Sequence, residues 1–327
     1  MTPASEPINN GAPARGIRRG AIIGMGAVGS ALAFTLLNEG QPSELILVDK
    51  DERRAVGEMM DLSHCTPYSQ PVRLSAGGID LVEHCDLIII NAGVAQASGE
   101  SRIDLVKRNA AVYAEFFPAL PRRNPGAIFC IITNPVDVMT RLAVHLGGIG
   151  PGQIFGTGTT LDTARFRLLL SQHLSIDPRN IHAYVIGEHG DSEVLVWSRA
   201  VVGPYPLEDY ARRVGRPITP EVRAAIEHGV KRAAYQIIER KGATNFAIAV
   251  ATQRICESVA SNQSTMMTVS RQLGDAYNLG DVCLSIPCLM TREGAGEPME
   301  MDLSPGEHDA LMHSAETLDQ VYRALDV

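Results

Sequence analysis

The stretch Ala21-Ile22-Ile23-Gly24-Met25-Gly26-Ala27-Val28-Gly29 decides the fold. An apolar run enters glycines spaced G-x-G-x-x-G, and a helical sequence follows, expected over Ser30–Leu37. Gly24 permits a tight turn, Gly26 lets a pyrophosphate approach the backbone, and Gly29 lets the helix pack close on the strand. Glycine-rich turns elsewhere imitate this pattern, so the next strand matters. That strand is Leu45-Ile46-Leu47-Val48, and Asp49 follows it, twenty residues after Gly29. A carboxylate there accepts hydrogen bonds from the adenosine ribose and repels an extra phosphate, which selects NAD over NADP. An ordinary strand-ending acid is the plainer reading of Asp49, and the glycine and strand context weighs against it.

Outward from this unit, Leu87–Asn91 and Ile128–Thr133 read as further buried parallel strands between helical stretches. The alternation predicts an α/β protein: an N-terminal Rossmann doubly wound parallel sheet, then a C-terminal mixed α+β substrate domain. The 327 residues suffice for two lobes, with expected divisions at 1–17 (a mobile N-terminal tail), 18–159 and 160–327. The tail is rich in Pro, Ala, Asn and Gly and lacks the apolar core of a signal peptide. In the second half, Thr219-Pro220 opens a long helix whose Val222, Ile226, Val230, Ala233, Ile237 and Ile238 recur with helical period as far as Gly242. Ser304-Pro305-Gly306-Glu307 combines a cap, a first-turn proline and a capping box for a last helix, with Leu311, Leu318, Val321 and Leu325 facing inward.

A net charge of −8 argues against nonspecific nucleic-acid binding, which needs clustered Lys and Arg. Apolar runs such as Leu87–Ile90 are too short to span a membrane. Six cysteines show neither CxxC pairs nor zinc-type spacing, so no metal is expected, and they read as buried small hydrophobes in a reducing cytoplasm.

The chemistry gathers around Gly187-Glu188-His189-Gly190-Asp191, a turn that gives an imidazole access to a substrate. Asp162 and Arg165, three apart, share one face of a helix beginning near Leu161. An aspartate bonded to the histidine fixes its tautomer and favours imidazolium, and a guanidinium holds a carboxylate through two parallel hydrogen bonds. The spacing alone equally allows a surface Asp162–Arg165 ion pair. Arg102 closes the polar stretch Gln96–Arg102, which lies between the strand ending at Gly93 and a helix around Leu105–Val112. As a lid it would exclude water and bring a cation to a polarised carbonyl; without that context it is a solvated loop charge.

With these residues in place, the chain resembles the lactate/malate dehydrogenase superfamily, most closely its bacterial L-lactate dehydrogenases, over residues 18–326. Gly24–Gly29 with Asp49, Gly99–Arg102, Thr133–Asp137, Gly158–Arg167, Gly187–Asp191 and Lys241–Thr244 carry the likeness, in order. The resemblance implies reversible interconversion of pyruvate and lactate, a fermentative step attached to glycolysis. His189 would pass the proton, Asp162 orient it, Arg165 hold the substrate carboxylate and Arg102 polarise the carbonyl. Asn134 would sit beside nicotinamide and substrate oxygen, with Thr244 and Ile248 lining the pocket. It also implies cofactor contacts from Gly24, Gly26, Val28, Gly29, Asp49, Arg54, Gly93, Val94, Asn109 and Thr133.

Substrate choice turns on Gln96, where malate dehydrogenases of the family place arginine. Neutral glutamine leaves the second carboxylate of oxaloacetate desolvated and unpaired, which favours pyruvate. The sequence departs from relatives at Ala95, usually Arg or Asn, and at Ala97-Ser98, often Lys-Pro in bacterial relatives, which leaves bulkier 2-oxo acids open. Arg167 projects from a nearly opposite side of its helix to Arg165. The resemblance pairs it with His182 in an allosteric site for fructose 1,6-bisphosphate across a subunit interface, and so implies a homotetramer. The alternatives are a malate or branched 2-hydroxy-acid dehydrogenase, or a non-catalytic NAD-binding protein.

Overall fold

The computed structural model describes residues 16–94 and 102–325, with Arg102 described by its backbone alone. The tail up to residue 15 and residues 95–101, Gln96 among them, lie outside the described residues. The first half runs β1 (Arg19–Ile23), α1 (Ala27–Glu39), β2 (Glu44–Val48), α2 (Glu52–Ser63), β3 (Arg73–Gly77), β4 (Leu87–Ile90), α3 (Arg102–Phe116), α4 (Leu120–Arg123), β5 (Ile128–Ile131), α5 (Val136–Gly147) and β6 (Ile154–Gly156). These six strands pair in parallel in the order β6-β5-β4-β1-β2-β3, the doubly wound arrangement. Alternate strand residues divide between two cores. Ile22, Leu45, Leu47, Leu87 and Ile89 face one layer of helices, while Ala21, Ile23, Ile46, Val48, Ile88 and Ile90 face the other. A strand buried on both faces reads as a continuous apolar run, which is why these strands stand out in the sequence.

The second half continues with α6 (Thr160–Leu174), β7 (Ile181–Ile186), β8 (Val194–Val202), β9 (Tyr205–Pro206), α7 (Leu207–Arg213), α8 (Pro220–Lys241), α9 (Phe246–Ser261), β10 (Thr265–Gly274), β11 (Gly280–Thr291), β12 (Gly294–Pro298) and α10 (Pro305–Arg323). Strands β10, β11 and β12 extend the first sheet antiparallel beyond β6, giving nine strands, while β7, β8 and β9 form a small antiparallel sheet. The two halves therefore share one main sheet.

Local signals place several boundaries. Thr219 caps α8 by accepting from the Val222 amide, Pro220 stands in its first turn, and Gly242 ends it at φ 85°. Ser304 and Glu307 form a full capping box on α10. Two expectations need correction. Helix α1 begins at Ala27, three residues before the expected Ser30, because Gly26 already takes the N-cap position. The run from β4 ends at Ile90, and Arg102 is the first residue of α3, not a loop residue ahead of it. The apolar period of α8 is only partly used: Ile226 and Val230 are buried, but Ile238 is 47% exposed.

Candidate active site

The strand order reverses between β1 and β4, and the glycine loop meets the backbone of Asn91 and Ala92 there. Gly24 has φ +102°, and a Cβ on it would lie 2.6 Å from the Ala92 amide nitrogen. A Cβ on Gly29 would collide with the Gly24 carbonyl oxygen, whereas at Gly26 nothing lies within 4 Å. α1 starts at Gly26 with no side-chain cap, so its positive end is left to an anionic group in that space. Loop and helix end thus fit a pyrophosphate. Asp49 accepts from the Met25 amide at 2.7 Å and the Asp51 amide at 3.0 Å, bracing the loop against the end of β2. A carboxylate has about four lone-pair sites, so ribose hydroxyls still find acceptors. Val28 is half-buried in α1 and Arg54 exposed on α2.

Farther along the cleft, buried Asn109 on α3 ties two loops together: its Oδ1 accepts from the Val94 amide at 2.8 Å and its Nδ2 donates to the Asn134 carbonyl at 2.8 Å. Thr133 Oγ1 donates to the Ala92 carbonyl at 2.7 Å and accepts from Tyr113 at 2.8 Å. Gly93 packs where a Cβ would meet Thr133 Cγ2 at 2.6 Å. These bonds fix the floor on which Asn134 is exposed to the cleft.

The chemical end is built by α6 and β7. Thr163 Oγ1 accepts from the Val185 amide at 2.9 Å and Thr159 Oγ1 donates to the Val185 carbonyl at 2.5 Å, clamping strand to helix. After β7 the chain turns at Gly187, φ +87°, whose amide donates to the Ser285 carbonyl at 2.8 Å; the Glu188 amide donates to Ser314 at 2.7 Å. The turn delivers His189 to Asp162, with Nδ1 donating to Oδ2 at 2.5 Å. Asp162 Oδ1 accepts from Arg165 Nη1 at 2.7 Å. Asp162 is 2% exposed and Arg165 12%, so this is a buried pair within the cleft and not a surface one.

Burial works against a charged imidazole, but the Asp162 carboxylate and its hydrogen bond outweigh that, with Asp137 and Glu193 adding to the effect, and His189 is pushed up to about 9. Burial likewise favours protonation of Asp162, yet the His189 and Arg165 charges hold its carboxyl below the usual range.

Three further residues belong to this site that the sequence reading did not assign. Buried Asp137 accepts from the His189 amide at 2.7 Å and so fixes the turn. Glu193 and Lys231 line the cleft with Asn134, Arg165 and His189. Thr244, just ahead of α9, and Ile248, in its first turn, are half-buried. The side chains of Gln96 and Arg102 lie outside what is described. Asp162, His189 and Glu193 bring three ligand atoms within 4.8 Å of one another. Both Asp162 oxygens are already engaged by cationic partners, so the trio handles protons better than it holds a cation. Arg167 is apart from all this, donating to the Ala183 carbonyl at 2.9 Å and lying 5.1 Å from the Tyr184 ring centroid; exposed His182 is the next residue along β7.

Residues 19–156 match the sequence profile of the lactate/malate dehydrogenase NAD binding domain, and residues 159–324 that of the same family's alpha/beta C-terminal domain. The chain belongs to the lactate/malate dehydrogenase family. As a member of that family it uses NAD. An L-lactate dehydrogenase of Thermoanaerobacterium saccharolyticum is 41% identical over 94% of this chain and 99% of its own. One from Thermus aquaticus is 43% identical over 93% of this chain and 98% of its own. Among solved structures, a lactate dehydrogenase from a Medee basin deep-sea metagenome library superposes with a TM-score of 0.91, at 34% identity over 95% of this chain and 100% of that one. The ligand-bound minor L-lactate dehydrogenase of Enterococcus mundtii gives 0.90, at 34% identity over 94% and 98%.

Proposed function

We propose that the chain is an L-lactate dehydrogenase that interconverts pyruvate and (S)-lactate. The observation that carries this is the buried Arg165–Asp162–His189 series, which sets a carboxylate-binding cation beside a proton carrier. When bound, NADH supplies the hydride to the 2-oxo carbon. His189 Nδ1 is committed to Asp162, which leaves Nε2 to give the carbonyl oxygen its proton; the same nitrogen takes the proton back in lactate oxidation. Arg165 uses one Nη on Asp162 and turns the rest of its guanidinium to the substrate carboxylate, and Arg102, at the head of α3, would polarise the carbonyl. Asn134 fixes the ring and oxygen ends relative to one another.

Gln96 is the proposed reader of the group beyond the 2-oxo carbon. The test compares NADH oxidation with pyruvate and with oxaloacetate: strong pyruvate preference is expected, and Gln96→Arg should transfer preference to oxaloacetate. Oxaloacetate preference in the unaltered enzyme would overturn the substrate assignment. Arg167 and His182 are proposed to receive fructose 1,6-bisphosphate in a homotetramer, supported by the bond from Arg167 on α6 to the Ala183 carbonyl, next to His182 on β7. His182→Gln should then abolish any bisphosphate effect on pyruvate saturation. Among the described residues no helix is long and apolar enough to cross a membrane, and the six unpaired cysteines fit the reducing cytoplasm proposed for it.

A further inference from the structure

Glu193 stands four residues beyond His189, where the Glu193 amide donates to the Gly190 carbonyl at 3.2 Å and closes a turn immediately before β8. That turn carries the side chain inward until it is 5% exposed. Its Oε1 has no hydrogen-bond partner among the described residues. A buried, unpartnered carboxyl oxygen destabilises the fold unless its surroundings offset the cost, so its placement calls for a reason.

We propose that Glu193 is a positioning residue for the proton step, a second acid beside the His189–Asp162 pair whose charge lets the imidazole keep its proton into alkaline solution. The charges acting on it come from three elements: Asp162 and Arg165 on α6, Lys231 on α8, and His189 in its own loop; Tyr235 and Asp191 line the same cleft, and Asp137 on α5 acts on His189. Lys231 is held there by donating its Nζ to the Asp191 carbonyl at 3.0 Å.

Burial and the Asp162 charge push the Glu193 carboxyl up to about 8, with His189, Lys231 and Arg165 pulling the other way. Each charge acts on the other: imidazolium favours the Glu193 carboxylate, and the carboxylate favours imidazolium. As pH rises through the Glu193 range, the acid ionises, and its new negative charge defers the loss of the His189 proton. The proton donor for carbonyl reduction therefore persists over pH values where His189 and Asp162 alone would already have lost it.

The inference rests on His189 as proton donor, and the pH profile of kcat/KM for pyruvate tests it. Glu193→Gln mimics the neutral acid in shape but cannot ionise, so whatever the height of its acid plateau, its alkaline limb should move down by about one pH unit relative to the unaltered enzyme. Glu193→Asp keeps the charge and should recover most of that shift. An unmoved limb in Glu193→Gln, or a uniform loss at every pH, overturns the proposal and leaves His189 untouched; absence of any alkaline limb in the unaltered enzyme overturns His189 as donor, and this proposal with it. A measurement on the unaltered enzyme is independent of variant folding. The infrared carbonyl stretch of a protonated carboxylic acid should fade through about pH 8, and its absence below that range would contradict the proposal.

Discussion

Both oxygens of Asp162 are committed, one to His189 and one to Arg165, so a single buried carboxylate aligns the proton carrier with the carboxylate clamp. Asp162→Asn should cut pyruvate kcat/KM by about 10²–10⁴-fold, because an amide can meet Nδ1 in the wrong tautomer. Its alkaline limb should fall from near 9 toward the 6.5 of an ordinary histidine. Pyruvate reduction needs imidazolium and lactate oxidation needs neutral imidazole, so the two directions should show opposite limbs over that interval. Stability follows with its own signs. The raised proton affinity of His189 stabilises the fold fully below 6.5 and is lost as pH rises through about 9. The lowered Asp162 contribution is present above 3.8 and is lost as pH falls through its depressed value. Urea midpoints across both intervals should decline on each side, and a flat profile would contradict the pairing.

The glycine loop separates folding from binding at the level of β1 and α1. Gly29→Ala drives a Cβ into the Gly24 carbonyl oxygen, so it should lower the melting temperature by several degrees as well as weaken NADH binding. Gly26→Ala meets nothing within 4 Å in the protein, so its melting temperature should hold while NADH affinity, read by fluorescence titration, falls. Equal effects of both variants on stability would contradict this division. β1, β2, β4 and β5 were legible because each is buried on both faces and reads as an apolar run. α8 and α10 were legible because their caps are written in Thr219, Gly242, Ser304 and Glu307. The extension of the sheet by β10–β12 was not: β10 and β11 are buried along most of their length, but buried Thr268, Ser270, Arg271 and Ser285 interrupt the apolar run, and the pairing with β6 is settled only by tertiary contact. Glu193 was missed for a similar reason. In the chain it is an acid at the start of a strand, and only the turn from Gly190 reveals that it is buried beside His189.

Across the whole molecule, large apolar side chains are left in the open on neighbouring helices: Phe34 at 52% and Met60 at 57% on α1 and α2, Phe246 at 70% and Val250 at 57% on α9. Such surface favours burial against other subunits, in keeping with the proposed tetramer. Phe246→Asp should lower the oligomeric mass measured by light scattering, and an unchanged mass would remove this residue from any interface. Whether His189 carries the proton is read from His189→Asn, with NADH binding measured alongside turnover. NADH fluorescence should titrate as in the unaltered enzyme while pyruvate reduction falls by about 10³-fold or more. Turnover retained within a few-fold, with NADH binding intact, would show that the proton comes from elsewhere.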